Sequence, residues 1–148
     1  MPGRKICGVT DPPLDTREWH DDTVEQFRSN GGTVQYYGRI LVLLHHTGAQ
    51  SGAERVTPVV GIADGDGWFV AASRRGAPQN PAWFFNVREY PDIEIETPDD
   101  GTLAVYATQL HGEERDAAWA RFMSLSPVFE QYQAATTRLI PVLRLSRR

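Results

Sequence analysis

Cysteine is almost absent. Cys7 is the single one among 148 residues, so no disulfide can close within the chain. That fits a reducing compartment better than an extracellular one. Cys7 lies in a Pro/Gly-rich start with no evident base beside it, which argues against a catalytic thiol. Long apolar runs are also missing. The longest, Ile40 to Leu44, is strand-sized and far short of the roughly 20 residues a membrane span needs. The start of the chain lacks the apolar core of a signal peptide. Cytoplasm is the expected location, with peripheral membrane contact left open. There is no basic excess either: the formal net charge is -4, and an acidic chain is a poor partner for nucleic acid. No Walker loop, Gly-x-Ser-x-Gly elbow or HExxH helix occurs, so nucleotide-hydrolase, esterase and metalloprotease readings have no motif behind them. His45 and His46 are adjacent, so on a strand they point to opposite faces and cannot share a metal; no metal site is expected.

What is present is an ordinary globular composition, 41% hydrophobic and 23% charged, at a length that suits one domain. Residues 1–14, with Pro2, Gly3, Pro12 and Pro13, read as a flexible lead-in to a single domain over 15–148. Asp15 or Thr16 can cap a helix that carries Trp19, Thr23, Val24 and Phe27 and stops at Gly31-Gly32. The period then changes. Strands are expected at Ile40–Leu44, Arg55–Ala63 and Trp68–Ala72, the last two joined by the Asp64-Gly65-Asp66-Gly67 turn. Asn80 reads as a helix cap and Pro81 as the first residue of a helix through Arg88. Alternation at Ile93–Glu96 and the run Leu103–Leu110 give two more strands. Helices follow over Gly112–Leu125 and from Pro127 to Gln133, and Ile140–Leu145 closes as a strand, with Pro141 suggesting a sheet edge. About six strands in hairpins, without βαβ alternation, describe a mostly β (α+β) fold: an antiparallel closed or partly open barrel with peripheral helices.

Three segments could carry chemistry. The small-residue loop Thr47-Gly48-Ala49-Gln50-Ser51-Gly52 exposes backbone N–H groups and hydroxyls, with Arg55 close behind, and either cradles an anion or is a plain hairpin loop. Ala72-Ser73-Arg74-Arg75-Gly76 leaves a strand end and leads to a helix start, so it is an anion site or a solvated connection. Trp83, Phe84, Phe85 and Asn86 could floor a flat heteroaromatic ligand or simply be core. Asn86 is the informative member, because a buried amide needs partners.

In order and separation these segments resemble the deazaflavin (F420)-dependent nitroreductase family of actinobacteria. The matching runs are Leu43 to Pro58, Ala71 to Gly76 and Asn80 to Asn86, supported by Phe27 to Gly32 and Ser126 to Gln133. The resemblance implies a split β-barrel of the FMN-binding type. It implies reduced coenzyme F420, a deazaflavin with a phosphate and a poly-glutamate tail, as the cofactor of an oxidoreductase. Hydride would pass to a small electrophilic acceptor such as a quinone, enone or nitroaromatic. It carries cofactor binding onto Thr47, Gln50, Ser51, Gly52, Arg55, Thr57 and Pro58, then Ala72, Ser73, Arg74 and Arg75, then Trp83 and Asn86. Ser73 would lie nearest the ring, and Phe129 and Tyr132 would cover the acceptor side, so Ser73, Phe129 and Tyr132 are the catalytic candidates. The chain departs from the family pattern at Ala49-Gln50, where an Arg-Lys pair is usual, and at Arg75, where glycine is usual. Phe129 cannot donate a proton where nitroreducing members can carry tyrosine. FMN in the same barrel, or a non-catalytic carrier of F420 or another hydrophobic ligand, are the alternatives. The protein is expected as a monomer or homodimer.

Overall fold

In the computed structural model, residues 5–6, 9–10 and 17–148 are described. The candidate cap at Asp15 or Thr16, Cys7 and most of the 1–14 lead-in fall outside them. Strands β1 (Lys5–Ile6) and β2 (Val9–Thr10) pair antiparallel. Helix α1 (Arg17–Ser29) follows. Strands β3 (Leu41–Thr47), β4 (Glu54–Asp64) and β5 (Gly67–Ala71) form a meander. A 3-10 turn (Arg74–Gly76) and α2 (Ala82–Glu89) lead to the hairpin of β6 (Asp92–Thr97) and β7 (Gly101–Gln109). Helices α3 (Gly112–Leu125) and α4 (Val128–Ala134) precede β8 (Val142–Arg147).

The six longer strands close into an antiparallel barrel in the order β3-β4-β5-β8-β7-β6, with β6 returning to β3. Closure leaves no edge among them, so the sheet edge expected at Pro141 does not exist. Proline is accommodated because it sits just before β8, where its carbonyl accepts the Ala72 N–H at 2.9 Å and no donor is needed. Asn80 does not cap α2. Pro81 holds the cap position, and the Asn80 amide oxygen is taken instead by Arg138 at 2.7 Å.

Strand β3 explains why its apolar run is continuous. Val42 and Leu44 face a core inside the barrel, with Val70, Ile95, Val105, Leu143 and Leu145, and α2 adds Trp83, Phe84 and Val87 to it. Leu41 and Leu43 face a second core outside, against Phe27 of α1, Trp119 and Phe122 of α3, and Val128 and Phe129 of α4. A strand buried on both faces cannot alternate. Arg115, 5% exposed, ties this outer layer together: it donates twice to the Ile140 carbonyl, bonds Gln133 and lies over Trp119. Leu43→Ala is expected to cost about 2–5 kcal/mol, because Leu43 is fully buried between strand and helices. Urea unfolding followed by tryptophan fluorescence checks this.

Candidate functional site

A cavity of about 960 Å³ runs along β4 between the barrel and the helices. Strand β4 gives it residues of both faces, Arg55 and Thr57 on one, Val56, Pro58 and Val60 on the other. The 3-10 turn adds Ser73, Arg74 and Arg75, the start of α2 adds Trp83, and Phe129 and Tyr132 close the helical side. The wall is therefore apolar on the outer-core side and cationic toward the 3-10 turn.

Of the residues expected at a site, Arg55, Thr57, Pro58, Ser73, Arg74, Arg75, Trp83, Phe129 and Tyr132 line this one cavity. Thr47, the last residue of β3, and Gln50, Ser51 and Gly52 on the β3–β4 connection lie outside its lining; Gln50, Ser51 and Gly52 are exposed. The Ala72 side chain is wholly buried in the barrel core. Sequence reading missed the contribution of α1, whose Arg17, Trp19, His20, Val24 and Arg28 line the cavity. The narrow stripe at Trp19 and Val24 marks a helix face, but spacing alone does not say what that face covers. His46 was also missed as a site residue.

The arginine turn is held from behind. Arg138 donates to the carbonyls of Ala72, Ser73 and Ala77 and to the Asn80 amide, at 3.1, 2.8, 2.9 and 2.7 Å. These acceptors are all uncharged. Burial, then the neighbouring Arg74 charge, pulls the Arg138 guanidinium below its ordinary value. The turn needs this support, because Arg74 and Arg75 have φ of 42° and 54°, a region that disfavours side chains. Arg75 thus holds a conformation suited to glycine. Gly76 cannot carry a side chain in the same way. Its φ is 79°, and a Cβ there would meet the Tyr132 carbonyl oxygen at 2.5 Å.

Phe129 is wedged edge-on against Phe122 and Tyr132, with ring centres 5.3 and 5.7 Å away. Ser126 is buried and accepts the Val128 N–H at 3.2 Å, so it starts α4 rather than facing a ligand. At the other end, His45 and His46 part to opposite faces. His45 meets Glu96 at 2.6 Å, and Arg28 of α1 grips the same carboxylate at 2.6 and 3.1 Å, which holds Glu96 below the usual carboxylate range. His46 contacts Thr57 Oγ1 at 2.8 Å and the Asn86 amide nitrogen at 3.0 Å. Asn86 is itself 7% exposed, and its oxygen accepts the Ala49 N–H at 2.8 Å. Among the described residues no group of three His, Cys, Asp or Glu is arranged to hold a metal, and no helix is long and apolar enough to cross a membrane.

A closed antiparallel barrel flanked by helices, with a large half-apolar, half-cationic cleft, is the architecture of the flavin and deazaflavin oxidoreductases. The family model described as "F420H(2)-dependent quinone reductase" matches residues 19–146, and the chain belongs to that family. An F420H(2)-dependent quinone reductase of Mycobacterium tuberculosis is 33% identical over 112 residues, which is 72% of this chain and 73% of the relative. A solved F420-H2 dependent reductase (FDR-A) is 35% identical, covering 73% of this chain and 95% of its own, with a TM-score of 0.67. A domain-swapped dimer is 32% identical over 87% of this chain and 98% of its own, with a TM-score of 0.69. A haem storage protein of Vibrio cholerae, 15% identical over 86% of this chain and 89% of its own, shares the fold alone at a TM-score of 0.58.

His46 yields a pH prediction. Burial first, then the charges of Arg55, His45 and His20, lowers its imidazole from 6.5 to about 4. The unfolded chain therefore binds the extra proton between those values, and stability rises with pH across that window. His46 should contribute up to about 3 kcal/mol at neutral pH, lost as pH falls through 4. Urea unfolding over this range should show the slope, and His46→Gln should flatten it.

Proposed function

We propose that this chain is an F420H2-dependent reductase acting on quinone-type acceptors. The observation that carries the reading is the division of one cavity into a cationic turn and an apolar wall. A deazaflavin with a phosphate and an acidic tail has that same division, and a volume of about 960 Å³ accommodates a cofactor beside a small acceptor. Bound F420H2 supplies the hydride. The chain's own residues bind, orient and exclude water.

Arg55, Arg74 and Arg75 take the phosphate and tail side. Arg74 and Arg75 stand in for the cations missing at Ala49 and Gln50, and the end of β3 at Thr47 with the exposed residues Gln50, Ser51 and Gly52 meets the outer part of the tail. Pro58 and Trp83 border the flat ring, with Ser73 nearest it and the Ala72 backbone beside it. Phe129 and Tyr132 face the acceptor. Asn86 acts from beneath through His46 and Thr57. Strand β4 and α2 are rigid elements, so ring and acceptor are held in a fixed approach, which is where much of the rate of a two-reactant enzyme comes from. The single cysteine and this redox chemistry support a cytoplasmic setting. The domain-swapped neighbour supports a homodimer over a monomer.

Titration with F420 should quench the cofactor's fluorescence at micromolar protein, and mixing F420H2 with a quinone should produce oxidised F420. A yellow protein with a flavin spectrum and no F420 binding would favour FMN; tight F420 binding with no turnover across quinones, enones and nitroaromatics would favour a carrier. Arg75→Gly separates grip from fold. Relief of a left-handed arginine, roughly 1–2 kcal/mol, less the added chain entropy of glycine, roughly 0.5–1 kcal/mol, should leave stability unchanged or raised by up to about 1.5 kcal/mol. F420 affinity should fall several-fold, measured in the same titration.

A further inference from the structure

The chain Ala49–Asn86–His46–Thr57, buried at Asn86 and His46, has a direction that its hydrogen-bond chemistry dictates. A backbone N–H can only donate, so the Asn86 atom 2.8 Å from Ala49 N is the amide oxygen. The Asn86 NH2 then faces His46 Nδ1 at 3.0 Å and must donate to it. Nδ1 is therefore bare, and the neutral imidazole carries its proton on Nε2. That proton goes to Thr57 Oγ1 at 2.8 Å. A hydroxyl that has received a hydrogen bond still has its own proton to place. Thr57 lines the cavity, and among the described residues it has no second side-chain partner. The strand register sets Arg55 beside this point, opposite His46.

Resting on the reductase reading, we infer that His46 is a positioning residue that commits Thr57 to donate its hydroxyl proton to an oxygen acceptor of the bound deazaflavin cofactor. Asn86, anchored by the β3–β4 loop, is what forbids the other imidazole tautomer. Loop geometry and ligand recognition are thereby joined through three side chains.

Two measurements test the inference. Long-range 1H–15N NMR of the wild-type protein should show His46 protonated on Nε2 and bare on Nδ1; the opposite tautomer overturns the relay without any variant. F420 affinity of His46→Leu and of Thr57→Val should each fall about tenfold. The double variant should fall no further than either alone, because both remove one interaction. His46→Gln returns an N–H donor toward Thr57 but not the Nδ1 acceptor, and should recover affinity to within about threefold. A purely structural role predicts the reverse: multiplied losses of about a hundredfold in the double variant and no rescue by glutamine. The phosphate-free deazaflavin riboside identifies which oxygen is bound, since the Thr57→Val loss persists with it only for a ring or sugar oxygen. If wild type binds F420 and His46→Leu binds as well, only this inference fails. If wild type does not bind F420, the reductase reading fails first and takes the inference with it.

Discussion

The guanidinium of Arg138 is the interaction on which the cationic side of the cleft depends. It collects three backbone carbonyls and one amide oxygen from residues 72 to 80, a stretch with almost no regular structure of its own. A planar fork with five donors suits this task, since it satisfies several carbonyls in one plane. The same contact gathers positive charge, because Arg138 sits behind Arg74 with no carboxylate bonded to either among the described residues. Arg138 is in turn placed by Gln133, which accepts from Arg115 and donates to the Arg138 carbonyl. A line of polar contacts therefore crosses from α3 through α4 to the 3-10 turn, along the edge of an otherwise apolar layer.

Beside Arg55 the cavity is organised by neutral groups. His46 stays uncharged because it is buried beside Arg55 and near two other histidines, and its neutrality lets it donate at one nitrogen while accepting at the other. Cationic grip and neutral, directional hydrogen bonding thus meet at the start of β4, where Arg55 pairs opposite His46 and Thr57 follows two residues on. The aromatic and aliphatic wall flanks both.

Much of the barrel was legible because its strands alternate or run apolar according to which faces they bury. The hairpin turns at Gly65 and Gly101 were equally plain, each with a positive φ. Three features were not. Barrel closure depends on pairing β3 with β6, about fifty residues away, and no local pattern encodes that partner. Asn80-Pro81 looks like a helix cap, yet a tertiary donor from Arg138 outcompeted the backbone for the amide. His46 has no local signature, because its role rests on Asn86 and Thr57, which come together only once α2 seats on the barrel. Of the motif residues, Arg55, Thr57, Pro58, Ser73, Arg74, Arg75, Trp83, Phe129 and Tyr132 line the candidate cavity, whereas Thr47, Gln50, Ser51, Gly52, Ala72 and Asn86 do not, and α1, which the motifs do not include, was missed.

Gly76 touches the Tyr132 carbonyl with no room for even a methyl group between them. The arginine turn and the helix bearing Phe129 and Tyr132 are consequently a single body at that point. An acceptor bulky enough to push α4 outward would open this contact and take away the backing of the cationic turn. Breadth of acceptor and firmness of cofactor grip are then opposing properties of one contact. A lineage that widened its substrate range would have to loosen this glycine's neighbourhood first.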